Sequence, residues 1–350
     1  VFFQTSSFSS LPFDVFSASF YLLSRYEEYL PHIRDHYERF MAKESLAFKH
    51  GFLQKPLVNF WLQKFLLLIQ QVYPNFRPEG SKFKFVSTID IDNAYCYLEK
   101  GLARTIGAFA RSLWKGEKDE MKERWNVLLK NQSDPYDTFE IQLALQEKYD
   151  LELVYFVLLA DYGLNDKNIP FQSRKFQLLI KHLSDHAQVG IHPSFGSNYD
   201  DTKLKEEWKR LKNIIKREVI ISRQHFLKLS FPKTYRNLID LGIHHDYSMG
   251  YAAYPGFRAS VCHPFYFYDL ELEQSTSLKI HPFTVMDATF KYYLNFTPAQ
   301  ALSLTKELIH EVKKVNGTFV TLWHNETWSE HGAWKGWSQL YEEIVKLSKS

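Results

Sequence analysis

The chain has 350 residues, enough for two ordinary domains or one α/β barrel, and 45% of them are hydrophobic, 24% charged and 17% aromatic. This composition is typical of a globular protein with a large core. The formal charge of +3 is small and the basic residues are interspersed with acids, so no nucleic-acid and no membrane footprint follows.

The two cysteines, Cys96 and Cys262, are too few for a disulfide framework and match no metal-binding spacing. We expect free thiols and a reducing, cytoplasmic location. No apolar run reaches the roughly 20 residues that span a bilayer. The longest, "NFWLQKFLLLIQQVY", contains Gln63 and Lys64 and predicts a core helix. Because the chain begins with Val1, a trimmed start is expected, and a preceding signal peptide would not be visible in it.

The first 80 residues predict a mainly helical segment. Two stretches, "FDVFSASFYLLSRYEEYLP" and "PLVNFWLQKFLLLIQQVYP", have apolar residues at helical spacing, and each ends at a proline. The stretch "NFRPEGSK" that follows is rich in turn-forming residues and predicts a linker. We therefore expect a helical segment at 1–80 and a second domain at 81–350.

Beyond this boundary, short apolar runs alternate with amphipathic helices. Helices are predicted at 137–149, opened by the capping pattern "DTFE", and at 297–315, opened by "TPAQ". The predicted strands lie at 83–90, 151–158, 188–193, 218–225, 243–247, 278–286 and 318–324. This alternation predicts parallel strands in an α/β layered or barrel fold, in which the active site lies at the carboxyl ends of the strands.

The ends of the predicted strands carry aspartates and histidines. They read "IDID", "GIHPS", "SRQH", "GIHHD" and "LWHNE" in chain order. Because residues i and i+2 of a strand lie on one face, Asp90 and Asp92 are expected to face one site, as are Arg223 and His225. Taken alone, each pattern is equally typical of a helix cap, a surface ion pair or a structural histidine. Their joint occurrence at several strand ends predicts one shared site.

Two carboxylates as close as Asp90 and Asp92 repel each other unless a cation or a proton compensates one charge. A metal is the simplest compensation. Aspartate and histidine ligands without thiolates are typical of one divalent ion, here expected to be zinc, with three protein ligands and an open position for water. One acid would then bind the metal, and the other would act on its water.

The motifs "STIDIDNAY", "GIHPSF", "SRQHFLKLSFP" and "TLWHNE", in this order, resemble the polysaccharide deacetylases of carbohydrate esterase family four. The resemblance covers residues 83–345 and implies a distorted, seven-stranded (β/α) barrel with one metal. The helical segment before it resembles the region that precedes this barrel in a bacterial subgroup of uncharacterised function.

The resemblance also implies roles for the motif residues. It makes Asp90 the catalytic base, Asp92 and His192 metal ligands, Arg223 the partner of the base, and His324 the strand-end histidine that acts on the leaving group. The family's arginine is followed by a proline, and the sequence "RQHFLKLSFP" has that arrangement.

Two departures from the family pattern affect the site. Ile91 separates the aspartates, which are usually adjacent, so the order of base and ligand rests on the apolar residue before the first acid. Gly196 stands where the second motif has another metal-binding histidine. His225 is the expected replacement as third ligand, with His244 and His245 in reserve.

Three residues are expected to contact a substrate. Arg258 in "GFRAS" could bind a carboxylate or sugar hydroxyls, and Trp323 and Asn325 flank the strand-end histidine, where an aromatic ring could stack on a sugar. Each also has a plainer interpretation, because a turn arginine is commonly solvated and tryptophans are commonly core residues. The same choice applies to the remaining C-terminal tryptophans, Trp328, Trp334 and Trp337.

The sequence therefore predicts a metal-dependent hydrolase that removes an N- or O-linked acetyl group from a carbohydrate or a cell-envelope glycan. Two alternatives stay open. A non-catalytic carbohydrate-binding or assembly protein could keep the barrel without the metal, and the absent histidine at position 196 supports it. A glycosidase would need Asp90 and a second carboxylate about 5 Å apart for retention or about 6.5–9.5 Å apart for inversion.

Overall fold

The structure is a computed structural model that describes residues 3–130 and 132–350. Within these residues, the strands form one nine-stranded sheet. They are β1 (Lys84–Ile91), β2 (Glu152–Val157), β3 (Gln188–Ile191), β4 (Ile221–Ser222), β5 (His245–Asp246), β6 (Phe265–Asp269), β7 (Gln274–Ile280), β8 (Val285–Met286) and β9 (Thr318–His324). Their order is β6-β7-β5-β4-β3-β2-β1-β9-β8, and neighbours are parallel apart from β6 with β7.

Helices precede the sheet and connect its strands. They are α1 (Val15–Leu23), α2 (Leu46–Lys49), α3 (Leu57–Val72), α4 (Leu102–Lys115), α5 (Lys118–Leu129), α6 (Phe139–Tyr149), α7 (Arg174–His186), α8 (Asp201–Ile215), α9 (Lys233–Asp240), α10 (Pro298–Lys314) and α11 (Trp337–Lys349). None of the helices in the described part of the chain is long and apolar enough to cross a membrane.

The segment that holds β7 and β8 joins the two edges of the parallel sheet. β7 pairs with β5, and β8 pairs with β9. Between them, the backbone N–H of His281 donates to Asp246 over 2.8 Å, and that of Thr284 donates to Val320 over 2.9 Å. Counting this segment once, seven parallel strand positions follow one another around a distorted barrel. The predicted α/β barrel is confirmed and strands lie at all seven predicted places, but the single strand predicted at 278–286 is divided into β7 and β8. β6 is an antiparallel addition.

Alternation along the strands builds two cores and sets which side chains reach the barrel mouth. Val86 of β1 and Leu322 of β9 belong to the cluster inside the barrel, whereas Ile89 and Trp323 belong to the larger cluster beneath the helices. Because a strand repeats every two residues, His324 follows Leu322 on the inner face. The same rule turns Trp323 away from the mouth.

β4 is much shorter than the strand predicted at 218–225. After Ser222 the chain leaves strand geometry, and His225 begins a short 3₁₀ turn (His225–Leu227) in which Phe226 has φ 60°. Backbone bonds still tie this stretch to the end of β3, since the N–H of Arg223 donates to Ile191 over 3.1 Å. Arg223 and His225 are therefore positioned by a turn and not by strand alternation.

A buried ionic group fixes the N-terminal segment against the barrel. Glu28 accepts from Nε of Arg25 over 2.8 Å and from Nε of Arg258 over 2.9 Å, and Arg25 also donates to the backbone carbonyl of Arg258. Burial alone would raise the pKa of Glu28, but Arg258 and Arg25 hold it below its ordinary value. Because removing one member would leave a buried charge uncompensated, the N-terminal segment and the barrel are strongly coupled.

Candidate metal centre and active site

Asp92 lies directly after β1 at the mouth of the barrel, and three histidine rings face its carboxylate. Nε2 of His192 lies 3.1 Å from Oδ1, while Nε2 of His225 and of His324 lie 3.3 Å and 3.6 Å from Oδ2. His192 follows β3, His225 begins the turn after β4, and His324 ends β9. The structure thus brings together residues that the sequence predicted from separate strand ends.

Each of the three rings is held through its Nδ1 atom. Nδ1 of His192 lies 2.5 Å from the backbone oxygen of Arg223, and a carbonyl oxygen only accepts, so Nδ1 carries the proton. Carboxylates hold the other two rings in the same way: Asp166 lies 2.8 Å from Nδ1 of His225, and Asp287 lies 2.7 Å from Nδ1 of His324. In the neutral rings, all three Nε2 lone pairs are therefore directed at the carboxylate of Asp92.

Lone pairs and a carboxylate at these distances repel each other unless a cation or protons lie among them. Burial alone would lower the pKa of His225, but Asp92 and Asp166 raise it to about 9. Burial alone would raise the pKa of Asp92, but His225 and His192 hold it well below its ordinary value. The group therefore attracts positive charge, as protons or as a metal ion.

The residues present fit a divalent metal. Ligand atoms of Asp92, His192 and His225 lie within 4.8 Å of one another. Oδ1 of Asp92 is buried and receives no hydrogen bond, which is costly for a carboxylate oxygen unless a cation is bound. One carboxylate and two imidazoles without a thiolate are a ligand set typical of zinc and related divalent ions.

Asp90 is paired with Arg223 beside this cluster. Nη1 of Arg223 donates to Oδ1 of Asp90 over 2.8 Å, and both side chains are buried. Nε of Arg223 donates to the backbone oxygen of Tyr247, and the guanidinium lies over the ring of Phe156. Since arginine keeps its charge, it places a fixed cation beside the Asp90 carboxylate and orients it. The other carboxylate oxygen of Asp90, Oδ2, lies 3.6 Å from Nε2 of His192. It is the oxygen that can accept a proton from a group bound in the mouth.

Asp287 lies directly after β8 and forms two hydrogen bonds with His324. It accepts from the ring Nδ1 and, over 2.8 Å, from the backbone N–H of the same residue, and the hydroxyl of Thr327 also donates to it. Burial alone would lower the pKa of His324, but Asp287 and then Asp92 raise it well above its ordinary value. The ring can therefore carry a second proton on Nε2. Asp287 was not predicted from the sequence, although it directly follows the predicted strand 278–286.

Asp166 positions His225 and is itself held by the turn at Phe195 and Gly196. The backbone N–H groups of Phe195 and Gly196 donate to the Asp166 carboxylate over 2.9 Å and 3.3 Å. The same carboxylate holds Nδ1 of His225. The backbone at Gly196 thus supports Asp166, and Asp166 in turn orients the ring of His225. No sequence signal pointed to Asp166, because it lies in a long loop after β2.

Glu326 is a second residue of the mouth that the sequence analysis missed. It lies two residues beyond His324 and lines the same cleft as Asp92. Burial and the nearby Asp92 raise the pKa of Glu326 to about 7, against the opposing effect of His324. Near neutral pH its carboxyl group can therefore donate a hydrogen bond as well as accept one.

The three predicted substrate contacts are not available at the cleft, which corrects the sequence analysis. Arg258 is buried, and its three nitrogens donate to Glu28 and to the backbone oxygen of Gly250. Trp323 is fully buried on the outer side of β9. Asn325 is also fully buried, and its amide donates to the backbone oxygens of two loops, at Asn93 and Tyr136. These three residues are buried and stabilise the protein around the site without lining the cleft.

The reserve ligands lie outside the cluster. His244 is exposed, and the ring of His245 lies 3.0 Å from that of His281 instead of facing the mouth. Of the four C-terminal tryptophans, Trp334 is the one that lines the cleft in the part of the chain that the structure describes.

The mouth opens into a cleft of about 490 Å³. Its wall includes His36 and Tyr37 from the N-terminal segment, and Tyr292 and Tyr293 from the stretch after β8. Arg39 ties the two parts together, since it donates to the hydroxyl of Tyr293 and to the backbone oxygen of residue 226, each over 3.0 Å. The N-terminal segment is therefore a wall of the site.

Residues 1–74 match a family model described as a family of unknown function (DUF7033). The match ends close to the boundary expected near residue 80. A comparison with curated protein sequences finds no match.

Three of the solved structures that are similar to this chain are described here by name. A proposed polysaccharide deacetylase from Mycobacterium smegmatis has a TM-score of 0.49 and 14% identity, covering 77% of this chain and 85% of that chain. The allantoinase PuuE has a TM-score of 0.48 and 9% identity, with the same coverage. A pseudoenzyme of carbohydrate esterase family four from Bacillus anthracis has a TM-score of 0.36 and 10% identity, covering 76% of this chain and 63% of that chain.

Polysaccharide deacetylases, to which the motifs carry a resemblance, are thus also among the similar solved structures. By their names, these structures differ in activity and include a pseudoenzyme.

Proposed function

We propose that the chain is a metal-dependent hydrolase that removes an acetyl group from a carbohydrate or a cell-envelope glycan. The observation that carries the proposal is the convergence of three Nδ1-held histidine rings on Asp92, beside an aspartate that is paired with a buried arginine. Asp92, His192 and His225 are the proposed ligands, and zinc is the proposed ion. Such an ion, when bound, polarises an acetyl carbonyl and lowers the pKa of water toward roughly 7.

The chain's own residues move the protons. Asp90, oriented by its pair with Arg223, takes the proton of the attacking water at its Oδ2 atom. His324, held by Asp287, donates a proton from Nε2 to the departing amine or alcohol. The two groups end neighbouring strands, β1 and β9, and are paired across them, so base and acid reach the mouth from different strands.

The aromatic wall supports a carbohydrate as substrate. Tyr292 and Tyr293 are exposed and Tyr37 is half-buried, so their rings are accessible to the faces of sugar rings. In this proposal, residues 1–80 and 81–350 are separate segments of the fold that share one cleft. The two free cysteines support a reducing, cytoplasmic location.

The two alternatives are less well supported. A non-catalytic binding protein would not need a base, an acid and three metal ligands together. In this proposal, His225 takes the role of the histidine that is absent at position 196. A glycosidase needs two carboxylates free to act on a sugar. Here Asp90 is paired with Arg223, and Asp92 with three histidines.

The test measures bound metal and acetate release on one preparation. We expect one divalent ion per chain and acetate release from either N-acetylglucosamine oligomers or O-acetylated xylan oligomers. Asp90→Asn should keep the metal and lose on the order of 10²–10⁴-fold in kcat, the usual worth of a positioned base. The exposed Asp161 provides a matched control, since Asp161→Asn should change neither quantity.

Each failure has a distinct meaning. Bound metal without acetate release from either substrate would favour the binding protein. A metal-free, active enzyme would contradict the metal centre. Loss of metal in Asp90→Asn would show that the roles of the two aspartates are exchanged.

A further inference from the structure

Helix α4 turns an apolar face to solvent. Leu102, Ile106, Ala110 and Leu113 follow one another at intervals of four, four and three residues, so they share one face, and Trp114 lies beside it. All five are exposed, Leu102 by 78% and Trp114 by 88%. An amphipathic helix normally turns this face inward, so the arrangement indicates a partner outside the chain.

The charged residues of α4 itself are all basic. They are Arg104, Arg111 and Lys115, and the nearest acids in the chain stand at the two ends of the helix, where Glu99 precedes it and Glu117 lies 3.9 Å from Lys115. A helix with leucine, isoleucine and tryptophan exposed on one face, and with cations as its charged side chains, has the composition of helices that lie in the plane of an anionic membrane surface. The charge pattern therefore favours the membrane.

A basic pocket lies beside the helix. Lys100, Arg104, Arg111 and Arg124 line a cavity of about 400 Å³, and no acid lines it among the residues that the structure describes. Arg124 is 7% exposed, and its Nη2 pairs with Glu120, but its Nη1 is buried and has no hydrogen-bond acceptor. A buried guanidinium N–H without an acceptor is costly. The pocket therefore adds positive charge beside α4, which attracts anionic lipid head groups.

We propose that α4 docks on a membrane surface that contains anionic lipids, with its apolar face in the interface and its basic side chains attracted to the lipid head groups. The pocket and the barrel mouth lie at the same end of the fold, because the ammonium of Lys100 donates to the side chain of Asn93, the neighbour of Asp92. Docking would hold the mouth close to the membrane surface. This inference does not depend on the hydrolase activity.

The test is flotation of the full chain with lipid vesicles. We expect the protein to float with phosphatidylcholine vesicles that contain about one quarter phosphatidylglycerol, and not with pure phosphatidylcholine, and to be released at about 0.5 M salt. A double variant of the apolar face, Leu113→Ser with Trp114→Ser, and a charge variant, Arg111→Glu with Lys115→Glu, should each reduce the bound fraction at least about tenfold.

Matched controls occupy other exposed helix positions. Leu67→Ser on α3 removes a leucine that is 61% exposed, and Lys205→Glu with Lys209→Glu reverses two exposed lysines on α8. Both should float like the wild type, and thermal unfolding should be equal for all variants. Wild-type protein that does not float with anionic vesicles, or that floats equally well in every variant, would overturn the proposal.

Discussion

His324 and Asp287 are joined twice, through the ring and through the backbone. The ring Nδ1 lies 2.7 Å from one carboxylate oxygen, and the backbone N–H donates to the other over 2.8 Å. The two residues lie at the ends of neighbouring parallel strands, so the pairing of β8 with β9 brings them into contact. It fixes both the tautomer and the direction of the imidazole, and Nε2 is left as the atom that faces the mouth.

Asp287→Asn should therefore lower kcat about 10–100-fold while the bound metal stays unchanged. The amide keeps a hydrogen-bond acceptor but removes the charge that raises the pKa of His324. Because the acid must be protonated, the alkaline limb of the kcat profile should move to lower pH. A purely structural role would reduce the folded fraction without moving this limb, and His324→Ala should abolish the limb altogether.

The ligand assignment predicts which variants lose metal. His225→Ala should reduce the bound metal as strongly as His192→Ala, because each removes one Nε2 atom from the cluster around Asp92. Asp166→Asn should weaken metal affinity about 10–100-fold, since it removes the charge that holds His225.

The control for this series is His245→Ala, which alters a histidine paired with His281 outside the cluster. Its metal content, measured by elemental analysis after dialysis, should equal that of the wild type. Unchanged metal in His225→Ala would transfer the third ligand role to His324 or to water.

Much of the fold was predictable because buried parallel strands are continuous apolar runs bounded by helices. The pattern "TPAQ" also predicted a capping box that the structure contains at Thr297 and Gln300. β6 was missed because its hairpin partner β7, "QSTSLKI", is largely polar, and because β6 itself pairs antiparallel with β7 outside the ring of parallel strands. The cap expected from "DTFE" is absent, since no side chain caps the start of α6.

The site was predictable only where the strand-end rule applies. Asp90, Asp92, His192 and His324 follow that rule directly. Asp166 reaches the cluster from a loop more than fifty residues before its partner in the chain, and local sequence carries no trace of such a contact. Trp323 shows the opposite case, because the same alternation that turns its neighbour inward turns Trp323 outward.

Tyr37 should contribute to substrate binding and not to the chemistry. Its ring lines the cleft and contacts Phe226 at 4.6 Å between ring centroids. Tyr37→Ala should raise KM for an acetylated oligosaccharide about three- to tenfold, as expected for an aromatic contact worth about 0.5–1.5 kcal/mol. Hydrolysis of a small acetyl ester without a sugar should be unchanged.

Tyr73→Ala is the matched control for Tyr37, because Tyr73 is an exposed tyrosine that is not among the residues that line the cleft. It should behave like the wild type on both substrates. An equal loss on the small ester and on the oligosaccharide in Tyr37→Ala would mean that the N-terminal wall shapes the metal centre and not the sugar subsite.

Glu207 should make the stability of the fold depend on pH. It is 3% exposed on α8 and accepts the backbone N–H of Ser194 over 2.9 Å, and burial raises its pKa from 4.5 to about 7. The folded state therefore binds the proton more tightly than the unfolded state. Its contribution is fully present below about pH 4.5 and is lost as pH rises through about 7, with a loss of about 3 kcal/mol above it.

Other groups titrate over the same range, so the informative quantity is a difference between two proteins. Glu207→Gln keeps an acceptor for the N–H of Ser194 but stays neutral at every pH. The free energy of unfolding, measured in urea at about pH 5 and about pH 8, should fall further in the wild type than in the variant. The same pH dependence in both proteins would show that Glu207 is solvated in the native state. Ser194 follows His192, a proposed metal ligand, by two residues. A charged and solvated Glu207 would then hold the turn after His192 by its hydrogen bond to Ser194 while in contact with water.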